Sequence, residues 1–219
     1  MGNDKPHVIY TTSSSYSGKI NVWDHGGSLV LEVGGYPQSV SINTPDLKER
    51  YWFRAVEEVS LRLKNPLRAL LLGVGGATIL HLLRQKFPDL ELVGVELDGE
   101  IVRVAKRFFD LDRIGKLEVL IQDGGEYVQN YQGNPFDLIF VDTYLGGNFP
   151  LHFEERGFLL RLRDITSPNG VVVINCAGGF NLRSFEALLS EVFAQVEVVK
   201  VPIPGFLGGL GNFLYFCSR

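Results

Sequence analysis

The stretch Arg68-Ala-Leu-Leu-Leu-Gly73-Val-Gly-Gly-Ala-Thr78 decides the fold of this chain. A short, continuous apolar run that ends in glycines is typical of a buried parallel strand and the turn after it. Two more short runs follow at 91–96 and 117–122, and patterns long enough for helices, 78–87 and 99–109, lie between the runs. The order strand, helix, strand, helix, strand predicts an α/β protein with a doubly wound, mostly parallel sheet of the Rossmann type.

The first turn of this sheet is rich in glycine. Gly73, Gly75 and Gly76 carry no side chains, so backbone N–H groups and the N-terminus of the next helix can approach a ligand closely. Glu96 ends the second strand, about twenty residues after the glycines, where a carboxylate accepts hydrogen bonds from both hydroxyls of a ribose. The glycines and Glu96 together predict a nucleoside site.

Acids also follow the third and fourth strands of the predicted sheet. Asp123, with Gly124 after it, is placed to meet an adenine amino group. Asp142 ends the fourth run, 136–142, beside the same crevice. Because ligands bind outside the carboxyl ends of the strands in an open parallel sheet, we expect all these turns to converge on one site.

Two classes of nucleoside fit the first two turns. The dinucleotide fingerprint requires Gly or Ala at its third glycine position, where this chain has Thr78. Acids after the third and fourth strands suit an adenosylmethionine-type ligand better, because it has no pyrophosphate and its sulfonium cation attracts carboxylates. The pattern therefore favours a sulfonium nucleoside. For Glu96 a purely structural alternative exists, since an acid near a helix N-terminus stabilises the helix dipole.

Composition excludes several other classes of function. The formal net charge of −4 and the pI near 5.6 give no basic surface for nucleic acid. The longest uncharged apolar stretch, 69–83, is shorter than a membrane span, and the first residues have no apolar core for a signal peptide. Cys176 and Cys217 lie in strand-like runs without metal-ligand spacing, so we interpret them as buried hydrophobes in a cytoplasmic protein. We interpret His152 as a loop or packing residue.

Residues 1–44 differ in character from the rest of the chain, 45–219. They contain four short runs rich in β-branched and aromatic residues, separated by the turn sequences 24–27 and 34–37. This pattern predicts a small N-terminal β-hairpin module beside a nucleoside-binding domain. The module is too small to fold alone comfortably, and its strand edges need covering. We therefore expect a homodimer that associates through the module.

The remaining elements follow from caps, periodicity and turn signals. Thr44 and Pro45 predict the start of a helix that runs to about Leu63. The rest of the chain predicts a helix at 154–165, a turn at 167–170, a strand at 171–175, a helix at 182–193 and strands at 196–201 and 212–217. The connection between the last two strands is short, so we expect them to form an antiparallel pair.

The order of these pieces resembles the spermidine synthase family, the aminopropyltransferases on a methyltransferase-like fold. The resemblance spans nearly the whole chain and rests on motifs in the family's order: Gly35-Tyr-Pro-Gln38, Tyr51, the Gly73 turn, Glu96 in Val-Glu-Leu-Asp, Asp123 in Gln-Asp-Gly, Asp142, and the Pro- and Gly-containing segment 202–219.

The resemblance implies an activity and a role for each residue. Decarboxylated adenosylmethionine would donate an aminopropyl group to a polyamine without a metal, and methylthioadenosine would leave. Asp142 would orient the amine and receive its proton. The donor would be held by Gln38, Gly73, Gly75, Gly76, Glu96, Asp123 and Gly124. Independently of the resemblance, Tyr51, Trp52 and Tyr144 offer aromatic faces to a cation and are the candidate lining of an acceptor pocket, although Trp52, where the family often has His or Gln, equally fits simple packing of its helix against the sheet.

The chain departs from the family pattern at two acids. The Asp that contacts the donor's ammonium in the family is Gly76 here, and the second Asp of the catalytic loop is Leu145. Three hypotheses therefore stand: an aminopropyltransferase-like enzyme, a methyltransferase that uses intact adenosylmethionine, and a catalytically idle nucleoside-binding protein. The pattern of divergent bacterial spermidine synthase-like proteins favours the first.

Overall fold

A computed structural model of the protein describes residues 5–144, 150–177, 182–202 and 211–219. Among these residues, seven strands form one sheet and four form a second, smaller sheet. Leu145 and the loop 203–210 lie outside the described residues. No helix in the described part of the chain is long and apolar enough to cross a membrane.

The smaller sheet is an antiparallel meander at the N-terminus. Its strands pair in chain order and are β1 (His7–Ser14), β2 (Gly18–Asp24), β3 (Leu29–Val33) and β4 (Tyr36–Val40). This confirms the predicted hairpin module. The division of the chain into 1–44 and 45–219 stays a prediction.

The larger sheet confirms the predicted α/β fold. Its order is β10-β11-β9-β8-β5-β6-β7, with parallel pairing from β9 to β7 and antiparallel pairing of β11 with both neighbours. The strands are β5 (Arg68–Leu72), β6 (Glu91–Glu96), β7 (Leu117–Ile121), β8 (Phe136–Val141), β9 (Thr166–Ala177), β10 (Gln195–Pro202) and β11 (Gly211–Ser218).

Helices cover both faces of the large sheet, which is why its strands are continuous apolar runs. Along β5, Ala69 and Leu71 pack into one core cluster, and Leu70 and Leu72 pack into the other. On the first face lie α1 (Tyr51–Arg62), α2 (Thr78–Lys86) and α3 (Gly99–Phe108), and on the second lie α4 (Gly124–Asn130), α5 (Arg156–Asp164) and α6 (Leu182–Val192).

Three local expectations were wrong. The helix expected to begin at Pro45 is interrupted: a 3₁₀ turn, Leu47–Glu49, ends at Arg50, whose extended backbone (φ −91°, ψ 154°) separates it from α1. The turn expected at 167–170 lies within β9, as a bulge between the pairs Phe136–Thr166 and Leu138–Val171. The helix expected from 154 is preceded by a 3₁₀ turn, Leu151–Glu154, and starts at Arg156.

The small sheet is attached to the large domain through a buried carboxylate. Asp98 is 3% exposed and caps α3, because its Oδ1 accepts the N–H of Glu100 at 2.9 Å. Its Oδ2 accepts hydrogen bonds from the hydroxyls of Ser14 and Ser17 in the first hairpin. One side chain thus stabilises a helix terminus and fixes the hairpin against it.

We predict that Asp98→Ala lowers the free energy of unfolding by about 2–3 kcal/mol, because it removes a helix cap and the charged acceptor of two hydroxyls. Urea unfolding followed by circular dichroism measures this difference. Asp112→Ala is the matched control, since the Asp112 side chain is 66% exposed and pairs with Lys106 on the surface. Equal stability of the two variants would refute the role assigned to Asp98.

Candidate active site

A cleft lies at the carboxyl ends of the central strands and contains about 910 Å³ of space, including its open mouth. One wall is the N-terminal module and the other is formed by the turns after β5, β6 and β8. Most of the residues that the sequence predicts for the site line this cleft, namely Gln38, Trp52, Gly73, Gly75, Glu96, Asp123, Gly124, Asp142 and Tyr144.

Gly73 is required by a close approach between two strand ends. Its φ of +87° is unfavourable for other residues, and a Cβ there would lie 2.2 Å from the carbonyl oxygen of Asp142. The N–H of Asp142 in turn donates to the carbonyl of Leu72 at 2.9 Å. The absent side chain therefore lets the glycine turn and the fourth-strand acid share one edge of the cleft.

Glu96 holds the glycine turn in place. Its Oε2 accepts the N–H groups of Val74 and Gly75 at 2.9 and 3.2 Å, and its Oε1 accepts the N–H of Asp98 at 3.1 Å. Burial raises the pKa of this carboxyl, and the three backbone N–H donors act in the opposite direction. Glu96 lies in the cleft after the second strand, at the position that the sequence predicts for a ribose contact.

Asp123 and Gly124 form the start of α4. The Oδ1 of Asp123 accepts the N–H of Glu126 at 2.9 Å, so the carboxylate caps this helix. The Nε2 of His152 lies 3.9 Å from Asp123 Oδ2, and the His152 ring is 4.1 Å from the ring of Phe153. These side chains make one end of the cleft aromatic and acidic, a combination that suits a purine with an exocyclic amine.

Asp142 is the centre of a partly buried hydrogen-bond network. Tyr51 donates its hydroxyl to Asp142 Oδ2 at 2.9 Å, and Asn175 donates its Nδ2 to Oδ1 at 2.7 Å. Asn212 donates to Asn175 Oδ1 at 2.9 Å, which fixes the amide orientation. Burial raises the pKa of Asp142 to about 6, against the lowering effect of the Asn175 and Tyr51 hydrogen bonds.

Of the aromatic residues predicted for an acceptor pocket, Trp52 and Tyr144 line the cleft, whereas Tyr51 is not among its lining residues and contacts Asp142 directly. The rings of Tyr51 and Trp52 lie 4.5 Å apart, and Trp52 is 5% exposed, so it both lines the cleft and packs in the core. Burial, followed by the charge of Asp142, raises the pKa of the Tyr51 hydroxyl, which keeps it a donor. The Tyr144 hydroxyl donates to the carbonyl of Asn175 at 3.2 Å and accepts the N–H of Ala177.

Gly76 occupies a different place from the other glycines. It is not among the residues that line the cleft; its N–H donates to Ser39 Oγ at 2.7 Å, and Ser39 does line the cleft. Among the described residues, no group of three or more His, Cys, Asp or Glu side chains is arranged to hold a metal ion.

Comparison with known proteins identifies the family of the chain. The spermine/spermidine synthase domain matches residues 56–219 of the chain. The chain belongs to the spermine/spermidine synthase family. A polyamine aminopropyltransferase from Vibrio vulnificus (strain CMCP6) is 28% identical over 204 residues, which cover 89% of this chain and 68% of that protein.

Solved structures of similar proteins share the fold. The probable spermidine synthase from Corynebacterium glutamicum ATCC 13032 has a TM-score of 0.79 at 23% identity, and the matched region covers 95% of this chain and 79% of the Corynebacterium chain. Human methyltransferase-like protein 13, solved in complex with SAH, has a TM-score of 0.62 at 26% identity, with 76% of this chain and 78% of that chain covered. The fold of this family member is therefore the methyltransferase-like one.

Sequence reasoning about this spermine/spermidine synthase domain missed Ser39, which lines the cleft, and Asn175, which binds Asp142. The sequence could have indicated Asn175, because it is a polar residue at the end of the apolar run 171–174, and this run pairs with the strand that ends before Asp142. Ser39 contacts the glycine turn only through tertiary structure, so no local pattern indicates it. Thr143 follows Asp142 and also lines the cleft, and its buried hydroxyl has no hydrogen-bond partner among the described residues.

We predict that the stability of the protein falls between pH 4 and pH 7 relative to that of Asp142→Asn. A carboxyl whose pKa rises on folding from 3.8 to about 6 favours the folded state while it is protonated, and this advantage is lost as the pH rises through about 6. We expect a change in the stability difference of about 1–3 kcal/mol across this range. Urea unfolding of both proteins at each pH measures it, and parallel pH curves would contradict the burial of this charge.

Proposed function

We propose that this protein is an aminopropyltransferase-like enzyme that moves an aminopropyl group from decarboxylated S-adenosylmethionine to a polyamine or a related amine. The observation that carries the proposal is Asp142, a carboxylate whose pKa burial raises to about 6, which is held by two neutral donors and lines a nucleoside-type cleft. The proposal is supported by the family of the chain and by the aminopropyltransferase activity named for its Vibrio relative.

The reaction follows from these positions. The nitrogen of the amine attacks the carbon next to the sulfonium, so a C–N bond forms while a C–S bond breaks and methylthioadenosine leaves. The amine must lose one proton, and Asp142 takes or relays it, because a base with a pKa near the working pH is efficient. Tyr51 and Asn175 hold the carboxylate in one orientation, which places the attacking nitrogen.

The donor occupies the cleft on its adenosine side. Glu96 contacts the ribose, and Asp123 with Gly124 contacts the adenine at the end where His152 and Phe153 lie. The glycine turn contacts the remainder of the donor. The unpartnered hydroxyl of Thr143, one residue from the proposed base, accepts a hydrogen bond from the acceptor amine. The buried free thiols of Cys176 and Cys217 favour a reducing, cytoplasmic location.

A methyltransferase that uses intact adenosylmethionine is the second candidate function. It is favoured by Gly76, which lacks the family's acid, and by the likeness to human methyltransferase-like protein 13. Calorimetric titration with both donors separates the two candidates, since a methyltransferase binds the intact donor more tightly. An idle nucleoside-binding protein would bind a donor and turn over neither.

We predict that two substitutions separate binding from chemistry. Glu96→Ala removes the acceptor of three backbone N–H groups and the ribose contact, so methylthioadenosine binding is lost. Asp142→Asn retains that binding but lowers turnover of the decarboxylated donor by about 100- to 10,000-fold, because the general base is missing. Calorimetry measures the binding, and chromatography of released methylthioadenosine with a panel of aliphatic diamines measures the turnover.

Two controls accompany this experiment. Glu118→Ala, which removes an exposed acid on β7, leaves both quantities unchanged. Tyr51→Phe removes one donor to Asp142, so the low-pH limb of the activity profile moves to higher pH. Full turnover by Asp142→Asn would exclude this residue as the base.

We also propose a homodimer that forms through the N-terminal module. The outer edge of β1 pairs with no described strand, and Val8 and Ile9 on that strand are each 41% exposed. An uncovered strand edge with apolar side chains is a surface that associates readily.

We predict a mass of about twice the 24.4 kDa of the chain in light scattering at micromolar concentration. The double variant Val8→Lys/Ile9→Lys places charges on the edge and gives a monomer. Leu61→Lys is the control, because Leu61 is 78% exposed on α1, away from this edge. A monomeric wild type would rule out the dimer.

A further inference from the structure

The backbone of Gly76 does not require a glycine. Gly73 and Gly75 have φ values of +87° and +52°, which disfavour side chains, whereas Gly76 lies outside this left-handed range. A side chain at Gly76 is opposed by its surroundings instead. A Cβ there would lie 2.7 Å from Ser39 Cβ and 3.3 Å from Phe109 Cδ1. Ser39 is therefore the main obstacle to a side chain at this position.

Ser39 is fixed in its place. It is 3% exposed, its Oγ accepts the N–H of Gly76 at 2.7 Å, and the same hydroxyl donates to the carbonyl of Gln38 at 2.7 Å. The next residue, Val40, is bound to the start of α2, because the Thr78 hydroxyl accepts its N–H at 3.1 Å and donates to its carbonyl at 2.6 Å. Strand β4 therefore cannot move away from the turn without breaking several buried hydrogen bonds.

The position matters because of what a side chain there would reach. A Cβ at position 76 would meet Ser39, which lines the cleft. On this side of the cleft Gln38 and Ser39 of β4 are neutral, and the carboxylate of Glu96, which also lines the cleft, accepts the turn N–H groups of Val74 and Gly75. The β4 side of the turn therefore offers the donor's terminal ammonium neutral hydrogen-bond partners.

We propose that Ser39 is a specificity-determining residue for the donor, because its side chain fills the space that an acid at position 76 would need and thereby keeps this wall of the cleft neutral. The inference rests on the proposed function, since it concerns the tail of the same sulfonium nucleoside. According to this proposal, the residue at position 39 determines whether an acid fits at position 76, so the two positions are coupled.

The test is calorimetric titration of methylthioadenosine, decarboxylated adenosylmethionine and adenosylmethionine into four proteins: wild type, Gly76→Asp, Ser39→Gly/Gly76→Asp and Ser39→Ala/Gly76→Asp. In Ser39→Gly/Gly76→Asp the new acid has room and meets the ammonium. The preference for the decarboxylated over the intact donor then rises about 10-fold or more, because the intact donor also brings a carboxylate that the acid repels.

The alanine variant is the matched control. Ser39→Ala removes the hydroxyl but keeps the Cβ that lies 2.7 Å from the Cβ built at position 76, so Ser39→Ala/Gly76→Asp shows no such gain. An equal gain in Gly76→Asp alone, or in the alanine double variant, would overturn the inference, and so would no gain in Ser39→Gly/Gly76→Asp.

Methylthioadenosine separates failure of the inference from failure of the proposed function, because it lacks the tail. If wild type does not bind it, the proposed function fails and the donor assignment fails with it. In that case, or if the acidic variants do not fold, thermal unfolding of Gly76→Ala and Ser39→Gly/Gly76→Ala tests the steric coupling. The coupling is supported if Gly76→Ala lowers the melting temperature and Ser39→Gly/Gly76→Ala restores it. It is overturned if the double variant does not restore the melting temperature.

Discussion

The close approach of Gly73 to the backbone of Asp142 is the constraint on which the site depends. Any Cβ at Gly73 would overlap the Asp142 carbonyl, so only glycine lets the end of β5 lie beside the end of β8 at this distance. Parallel pairing of these strands then brings the glycine turn, Glu96 and the fourth-strand acid to one edge. The strand order that defines the fold therefore also brings the site residues together.

The electrostatics of the cleft follow from this geometry. Burial raises the pKa of both Glu96 and Asp142, so each carboxylate is less stable as an anion than it would be in water. Backbone N–H groups offset part of this cost for Glu96, and the neutral donors Tyr51 and Asn175 offset part of it for Asp142. Under the proposed function a cationic ligand would supply the remaining compensation, because a sulfonium or an amine stabilises a carboxylate anion more than a neutral nucleoside does.

The sequence predicts the parts of this structure that have local signals. Apolar runs and glycine turns predict the strands, because both faces of the sheet are buried. Helix α4 has no such signal, since it is short and begins with Gly124 and Gly125, and it depends on the Asp123 cap. The break at Arg50 and the bulge in β9 depend on tertiary packing, which periodicity does not contain. The role of Ser39 depends on a contact between distant segments, so only the folded chain reveals it, whereas Asn175 has a local signal as a polar residue at the end of an apolar run.

The N-terminal module belongs to the site as much as to the scaffold. Its inner residues Ile20 and Leu31 form one core cluster together with Ile101 and Val104 of α3, so the module shares its core with the larger domain. In return β4 places Gln38 and Ser39 against the glycine turn. The matched family domain begins at residue 56, yet this cleft is closed by residues before that point. What the glycine turn can bind is therefore decided partly by a strand outside the matched domain.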